Sequence, residues 1–398
     1  MTLDIPPAAS PAAARDRHLF SPGPKRILAI DGGGVRGVIA VAMIERIEAV
    51  LAARAGHPVR LCDYFDLIGG TSSGAITGAL LALGFRGAVI REFYARFAPK
   101  VFRRSMWHVP GLQAKFDGRV LGRELAAVLG DRTLDSADLL TGLAIVMKRI
   151  DTGSPWVVTN NPRAAFWETP ADRSFTGNRL LPLANLVRAS TAAPSYFDPE
   201  SLPIGEGQPP GLFIDGAVTP HKNPSLQLLM LALLDAYALR WSPGRDRLLL
   251  VSVGTGSFHP RMSQADIDRA TAMGLAIRAL RGLIADSDTL GITLLHWLSG
   301  SPAQLPLNSE LGTLTDQQAP FGEKLMTYHR YDVPLEADWL DRELGVAIGE
   351  DKLEQLHHME RPESMPRLRE LAEAAAGRMI GDADFPAVFD GGLAPPED

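Results

Sequence analysis

The sequence predicts an α/β protein, a three-layer sandwich in which helices cover a mostly parallel central sheet, with a helical extension at the C-terminal end. Two observations support this fold class. Apolar runs of strand length alternate with longer segments of helical period between residues 26 and 256. Two of these runs end in glycine-rich turns that lead directly into a helical pattern, which is typical of parallel strand–helix units.

The composition limits the classes of protein to consider. The chain has 398 residues, of which 46% are hydrophobic, so it can bury a large core. Its net charge of −6 argues against a nucleic-acid partner. A single cysteine, Cys62, allows no intrachain disulfide, and we expect it to be a small buried side chain in a reducing compartment.

The chain shows no signal for secretion or membrane insertion. No charged leader precedes an apolar core at the N-terminus, and no run reaches the ~18 apolar residues of a membrane span. We therefore expect a cytoplasmic protein that can work at the inner face of the membrane. The sequence leaves the oligomeric state open.

Composition and pattern divide the chain into four segments. Residues 1–24 and 381–398 are rich in small residues and proline, so we expect both to be flexible tails. Residues 25–256 carry the regular strand and helix pattern of a core. Residues 257–380 are less regular and mainly helical, and we expect them to be part of the same domain or a cap.

The core is predicted as a series of strands with helices between them. The first strand covers 26–31 and is followed by a helix over 38–53. The second strand covers 64–69 and is followed by a helix of small residues over 73–83. Further strand candidates are the apolar runs 143–150, 156–159, 212–214 and 248–253.

The first turn contains the stretch Asp31-Gly-Gly-Gly-Val-Arg-Gly37, which raises the question of a dinucleotide site. Gly32, Gly34 and Gly37 satisfy the spacing of that fingerprint. A Rossmann unit also needs an acidic residue at the end of the second strand to hold the ribose. Here the second strand ends in glycines, and no acidic residue follows it before Glu92. The second requirement of the dinucleotide hypothesis therefore fails.

The same loop has a second chemical use. Glycines before a helix let backbone N–H groups converge on negative charge, and the helix dipole adds to the effect. Such a loop can hold a phosphate or, transiently, an oxyanion, and Arg36 adds a positive charge. The alternative is a tight strand-to-helix turn that needs glycine for its backbone angles.

The second turn, Gly70-Thr-Ser-Ser-Gly74, matches the G-x-S-x-G pattern with Ser72 at its centre. It follows a buried strand and opens a helix, the position at which a strained turn projects a nucleophilic hydroxyl from the sheet edge. Ser73 is the neighbouring candidate, but it falls outside the pattern. We therefore predict that Ser72 is a nucleophile.

A serine nucleophile needs a positioned base, and the histidines do not supply an obvious one. None of those after Ser72 has a local setting that distinguishes it from an ordinary core or surface histidine. Asp215 instead ends a short apolar strand and is followed by glycine. If that strand is parallel to the others, Asp215 lies at the same sheet edge as the two turns. Asp390, in a similar Asp-Gly-Gly sequence, is the weaker candidate because prolines surround it.

Together the three motifs resemble the patatin-like phospholipase family. They are Asp31-Gly-Gly-Gly-Val-Arg-Gly37, Gly70-Thr-Ser-Ser-Gly74 and Asp215-Gly-Ala217, in the order of that family. Softer likenesses are Arg188-Ala-Ser-Thr-Ala-Ala-Pro194 and Val251-Ser-Val-Gly-Thr-Gly256, with a continuation through residues 328–332.

The resemblance implies a mechanism and a class of substrate. Family members hydrolyse fatty-acyl esters of membrane lipids through a Ser–Asp dyad and an acyl-enzyme. By motif matching, Ser72 is the nucleophile and Asp215 the base. The same matching assigns the oxyanion site to Gly32, Gly33, Gly34 and Arg36. We expect no metal or cofactor. The segment after Asp215 is slightly longer than the usual form, which leaves His221 near the site as a further candidate participant.

Three other functions stay open at this stage. The same scaffold can serve a soluble carboxylesterase or thioesterase, because the motifs do not encode the acyl-chain length. It can also be an inert binding module, although an inert protein has no need of all three motifs. A bacterial relative can act as a signal-gated effector that degrades membranes in phage defence, but the sequence offers no recognisable nucleotide pocket.

The best candidate for membrane contact is the segment 100–109, which is both apolar and basic. Phe102 and Met106 share one face of a predicted helix, and Trp107 suits a membrane interface. Lys100 lies among them and can reach anionic head groups. The alternative is a connecting helix whose apolar face packs on the sheet.

Overall fold

The computed structural model describes residues 11–103, 114–258, 269–315 and 317–393. Within them, eight strands form one sheet. The strands are β1 (Lys25–Ile30), β2 (Leu67–Thr71), β3 (Gly142–Arg149), β4 (Ser154–Thr159), β5 (Glu200–Leu202), β6 (Gly211–Asp215), β7 (Leu248–Val253) and β8 (Thr327–Tyr331).

Helices cover both faces of this sheet. They are α1 (Pro11–Phe20), α2 (Gly37–Ala55), α3 (Leu61–Tyr64), α4 (Ser73–Ala82), α5 (Gly87–Val101), α6 (Gly118–Leu129), α7 (Leu183–Ser190), α8 (Ser225–Leu233), α9 (Ala272–Ser299), α10 (Ala337–Leu344), α11 (Glu350–His357) and α12 (Met365–Met379).

The strands lie in the order β5-β6-β3-β2-β1-β7-β8, and β4 pairs with β3. The run from β3 to β8 is parallel throughout. β4 and β6 are antiparallel to β3, and β5 is antiparallel to β6. The predicted α/β fold with a mostly parallel central sheet is therefore confirmed.

Alternation along the strands sends side chains into two separate cores. On β1, Leu28 and Ile30 face the layer that contains α2, α4, α5 and α12. Ile27 and Ala29 face the other layer, with α1, α8 and the end of α9. Burial on both faces explains why these strands are continuous apolar runs rather than alternating ones.

The path of β6 corrects one step of the sequence argument. We predicted that the strand before Asp215 is parallel, but β6 is antiparallel to β3, with Asp215 opposite Met147. β2 pairs with β3 as far as Thr71 opposite Val146. Because β4 occupies the other edge of β3, β2 and β6 must share one edge and meet end to end. Asp215 therefore lies at the C-terminal end of β2 because β6 runs toward it from the opposite direction.

Both segments expected to be flexible tails contain packed structure. In the first, α1 buries Leu19, and the Trp241 indole N–H donates to the Leu19 carbonyl over 2.8 Å. In the last, Phe385 and Phe389 are fully buried beneath two short 3₁₀ turns. In each case an apolar side chain within a polar, proline-containing stretch anchors the segment. The expectation of flexible tails is therefore wrong for residues 11–24 and 381–393.

The region after residue 256 contains the helices α9 to α12, and it also completes the sheet. β8 pairs in parallel with β7, and α12 packs against α2. Among the described residues, no helix is both long enough and apolar enough to cross a bilayer. Cys62 is fully buried, as predicted, and burial raises the pKa of its thiol.

Candidate active site

The turn between β2 and α4 holds Ser72 in a strained conformation. Its φ of 56° and ψ of −124° lie outside the regions that L-residues normally adopt. The turn also requires its two glycines, because a Cβ at Gly70 would lie 2.0 Å from the Gly74 carbonyl oxygen. The Ser72 N–H donates to Ser190 Oγ over 2.8 Å, which anchors the turn to α7.

Ser72 and Asp215 are in direct contact. Ser72 Oγ donates to Asp215 Oδ2 over 2.6 Å, and Asp215 Oδ1 accepts from the Ala217 N–H over 2.7 Å. Both residues are buried, and no cationic side chain pairs with Asp215 in the part of the chain that the structure describes. Burial raises the pKa of Asp215 to about 6, although its two hydrogen bonds oppose the rise. A carboxylate in this state is a competent base for the hydroxyl it contacts.

The glycine loop presents one uncommitted donor. The Gly32 N–H donates to the Lys222 carbonyl over 3.1 Å, and the Gly33 N–H donates to Ser73 Oγ over 2.9 Å. The Gly34 N–H has no acceptor among the described residues, and Gly34 lines the same pocket as Ser72. Its φ of +60° favours glycine. Of the three glycines predicted for the oxyanion site, Gly34 is thus best placed, and the Gly32 amide is committed elsewhere.

Arg36 lies beside the loop, but its side chain is outside the lining of the Ser72 pocket. The guanidinium lies 5.2 Å from the centre of the Phe258 ring. It is buried, and its Nε and Nη1 atoms have no hydrogen-bond partner within the described ranges. Burial lowers its pKa, and the Asp332 carboxylate offsets part of that effect. Arg36 therefore contributes positive potential near the loop rather than a direct contact to Ser72.

The first residue of the loop is held by an ion pair that the sequence analysis missed. Arg330 on β8 binds the buried Asp31 carboxylate through both terminal nitrogens, over 2.8 and 2.6 Å. Arg330 also contacts Asp332 over 3.2 Å. The signal that could have revealed it is a charged residue, Arg330, between the tyrosines of the stretch Thr327-Tyr-His-Arg-Tyr331, which continues the softer family likeness. Ser190 was also missed, although it lies in one of the softer family motifs.

A narrow apolar pocket lies beside Ser72 and Asp215. Its free space is about 30 Å³, roughly the volume of one water molecule. The apolar side chains that line it come from α4, α5, α6 and the segment after α7, and they are Ile76, Tyr94, Phe97, Ala98, Val101, Phe102, Leu121, Ala193, Tyr196 and Phe197.

The pocket wall includes one of the residues predicted to contact a membrane. Phe102 packs against Phe116 and Phe197, with ring centres 5.3 and 6.1 Å away. Lys100 pairs with Glu124 over 2.9 Å. The alternative of a packed connecting segment therefore describes Phe102 better than a membrane contact does. Met106 and Trp107 lie outside the described residues.

The rival site residues lie in other settings. Ser73 Oγ accepts from the glycine loop and has no carboxylate partner within the described ranges. The His221 ring makes no hydrogen bond to Ser72 or Asp215, and its Nδ1 is buried without a described partner. Asp390 pairs with Arg54 over 3.0 Å. Within the described residues, no cluster of three or more histidine, cysteine or acidic side chains is placed to hold a metal ion.

This arrangement defines a class of site: a strained serine, a buried carboxylate and a free amide donor at one edge of an α/β sheet. These are the kinds of group that acyl transfer needs, namely a hydroxyl, a carboxylate that can accept its proton, and an N–H that can donate to an oxyanion. The sequence pattern of the family described as "Patatin-like phospholipase" matches residues 28–229, more than half of the chain. The chain therefore belongs to the patatin-like phospholipase family.

Individual relatives resemble part of the chain. This chain is 31% identical to Patatin-03 of Solanum tuberosum over 247 residues, which cover 58% of this chain and 60% of the relative. It is 29% identical to Patatin-like protein 1 of Arabidopsis thaliana over 257 residues, covering 58% of each. The chain thus spans about 60% of the length of the curated relatives it matches. The structure of human GIVD cytosolic phospholipase A2 aligns with a TM-score of 0.46 and 12% identity, covering 96% of this chain and 63% of that one.

Proposed function

We propose that this protein is a lipid acyl hydrolase of the phospholipase A type that works through a Ser72–Asp215 dyad. The observation that carries the proposal is the 2.6 Å contact between Ser72 Oγ and the Asp215 carboxylate. Within the described residues, no cationic side chain pairs with that carboxylate. A paired carboxylate would be a weak base, whereas a buried and uncompensated one is basic enough to accept the serine proton. Family membership supports the same chemistry.

In the first half of the reaction, Ser72 Oγ attacks the ester carbonyl carbon while its proton passes to Asp215 Oδ2. The carbonyl oxygen becomes an oxyanion and accepts a hydrogen bond from the Gly34 N–H. One such donor contributes about 3–4 kcal/mol to the stability of the transition state. The tetrahedral intermediate collapses, the ester C–O bond breaks, and the leaving alcohol takes the proton from Asp215. The product is an acyl-Ser72 ester.

In the second half, water replaces the alcohol. Asp215, again ionised, accepts a proton from the attacking water, and a second oxyanion forms at the same donor. Collapse of this intermediate returns the proton to Ser72 Oγ and releases the fatty acid. Both halves use one carboxylate and need no histidine.

The apolar pocket suits a fatty-acyl chain, because its wall is aromatic and aliphatic and it opens beside the nucleophile. Its free space of about 30 Å³ is far too small for a long chain. Acyl binding must therefore move side chains, and half-buried Phe102 and Tyr196 are the most readily displaced of the aromatic ones. The apolar lining supports a lipid substrate, whereas a short soluble ester would need less of this opening, so the two substrates are compared directly below. The gated antiphage role stays a prediction.

The test compares substrates and the nucleophile in one experiment. We expect hydrolysis of mixed-acyl phosphatidylcholine vesicles and of a short p-nitrophenyl ester, with faster turnover of the vesicles. Ser72→Ala should lose at least about 10⁴-fold in turnover of both and should escape labelling by a fluorophosphonate. Ser73→Ala is the matched control and should still be labelled. Turnover of the short ester alone would favour a soluble esterase, and no turnover with lipid binding intact would favour an inert module.

A further inference from the structure

The first half of α9 stands away from the rest of the protein. From Ala272 to Leu283 every residue except two glycines is exposed. The second half is anchored, because Leu295, His296 and Ser299 are buried against β8 and α8. Isolated helices of this length are only marginally stable in water, so an exposed helical segment is normally stabilised by contact with a partner or a surface.

The exposed half is apolar along a continuous stripe. Met273, Ile277, Leu280 and Ile284 follow the spacing i, i+4, i+7 and i+11, which places them on one face. Met273, Ile277 and Leu280 are 70%, 48% and 53% exposed, and Leu283 beside them is 64% exposed. An exposed patch of this kind normally marks an interaction surface.

Two arginines border this stripe on one side. Residues 272–285 contain Arg278 and Arg281 and no acidic side chain, although the whole chain has a net charge of −6. Neither arginine forms an ion pair with another residue in the part of the chain that the structure describes. A wide apolar face bordered by arginines is the pattern of a helix that lies in a lipid interface.

Two contacts connect this helix to the candidate active site. Asp288 pairs with Lys222, on the loop that follows Asp215, and accepts from the Asn223 N–H over 3.3 Å. The same loop accepts a hydrogen bond from the glycine turn. Burial and the Glu360 carboxylate raise the pKa of Tyr196, and the nearby Arg281 cation partly offsets that rise. Since Tyr196 lines the apolar pocket, Arg281 lies within electrostatic range of one residue of the pocket wall.

We propose that the first half of α9, residues 272–285, docks on an anionic phospholipid surface and so presents the pocket to its substrate. The proposal rests on the proposed lipid acyl hydrolase function. A second copy of this chain fits the surface less well, because each copy would bring the same pair of arginines into the contact. Anionic head groups complement both arginines, and the acyl region accommodates the apolar stripe without a shape-matched partner.

Binding is measured in the Ser72→Ala background, so that vesicles are not consumed. The probes are sedimenting vesicles of phosphatidylglycerol and of phosphatidylcholine. Leu280→Gln with Leu283→Gln should weaken binding to phosphatidylglycerol vesicles about 10- to 100-fold. Glutamine keeps a good helix propensity. Arg278→Gln with Arg281→Gln should weaken it about 25-fold, at roughly fivefold for each charge, and should have little effect on phosphatidylcholine.

The matched control is Leu180→Gln with Leu234→Gln, which removes two leucines of similar exposure (52% and 49%) outside α9. It should bind vesicles as the parent does. In the active protein, the α9 leucine pair should lose vesicle hydrolysis but keep turnover of a short soluble ester. If the wild-type protein hydrolyses neither vesicles nor the short soluble ester, the result counts against the proposed function and not against docking. Unchanged vesicle binding in the α9 variants, or conversion of a dimer to a monomer without loss of binding, overturns the docking proposal.

Discussion

A buried aspartate lies beside each end of β2, Asp66 just before the strand and Asp215 at the end of β6, in opposite electrostatic settings. At the N-terminal end, Asp66 binds Arg26 over 2.9 and 3.0 Å and contacts His18 over 2.9 Å. At the C-terminal end, Asp215 contacts a serine hydroxyl and one backbone N–H. Both carboxylates are nearly inaccessible to water.

The pKa values of the two groups diverge for this reason. Burial would raise the pKa of Asp66, but the His18 hydrogen bond and the Arg26 charge outweigh it and lower the pKa. Burial dominates at Asp215 and raises its pKa to about 6. The same residue type at opposite ends of β2 is therefore held ionised where it is paired with Arg26, and is left with a raised pKa where, as at Asp215, no cation pairs with it.

The largest effect that separates the two aspartates is on turnover. Asp215→Asn keeps the size of the side chain but removes the base, so we expect turnover to fall by about 10⁴-fold. The folded protein should remain at least as stable at pH 8, because the variant no longer buries an uncompensated charge. Initial rates and thermal unfolding check this together. Turnover within tenfold of wild type would remove Asp215 from the mechanism.

Asp66→Asn should lower stability and leave turnover nearly unchanged. It leaves the buried Arg26 guanidinium without a counter-charge, and such a loss costs about 3–5 kcal/mol of unfolding free energy. Turnover of the protein that remains folded should stay within about twofold of wild type, since Asp66 lies at the far end of β2. Urea unfolding and rates at low temperature measure the two quantities. Equal stability of variant and wild type would show that the Arg26 pair does not stabilise the fold.

The sequence was sufficient to predict that Ser72 and Asp215 lie together, but not the chain path that brings them into contact. Local patterns revealed the strands and turns because backbone angles and alternation are local properties. The antiparallel direction of β6 depends on which edge of β3 is free, and that is a long-range property. The Asp31–Arg330 pair spans 299 positions, and no local pattern in the sequence connects the two residues.

The raised pKa of Asp215 predicts how turnover and stability depend on pH. Because Asp215 must be ionised to act, kcat/KM should rise about tenfold per pH unit below pH 6 and level off above it. Stability should change in the opposite sense. The folded pKa of about 6 exceeds the ordinary value of 3.8, so the folded state binds more protons between them. The unfolding free energy of wild type, relative to Asp215→Asn, should therefore fall by about 2 kcal/mol from pH 4 to pH 6, out of about 3 kcal/mol over the whole titration. A flat difference between the two proteins contradicts the raised pKa.

The smallest effect belongs to a third aspartate, Asp390. It pairs with Arg54 at 3.0 Å, but its side chain is about one-third exposed and Arg54 keeps a second partner in Asp382. We therefore expect Asp390→Asn to cost less than about 1 kcal/mol and to leave turnover within twofold. Truncation after residue 381 would be a poorer test of Asp390 than this substitution, because it also removes buried Phe385 and Phe389, each worth about 3–5 kcal/mol. A large loss of turnover in Asp390→Asn at unchanged melting temperature would transfer the role of base from Asp215 to Asp390.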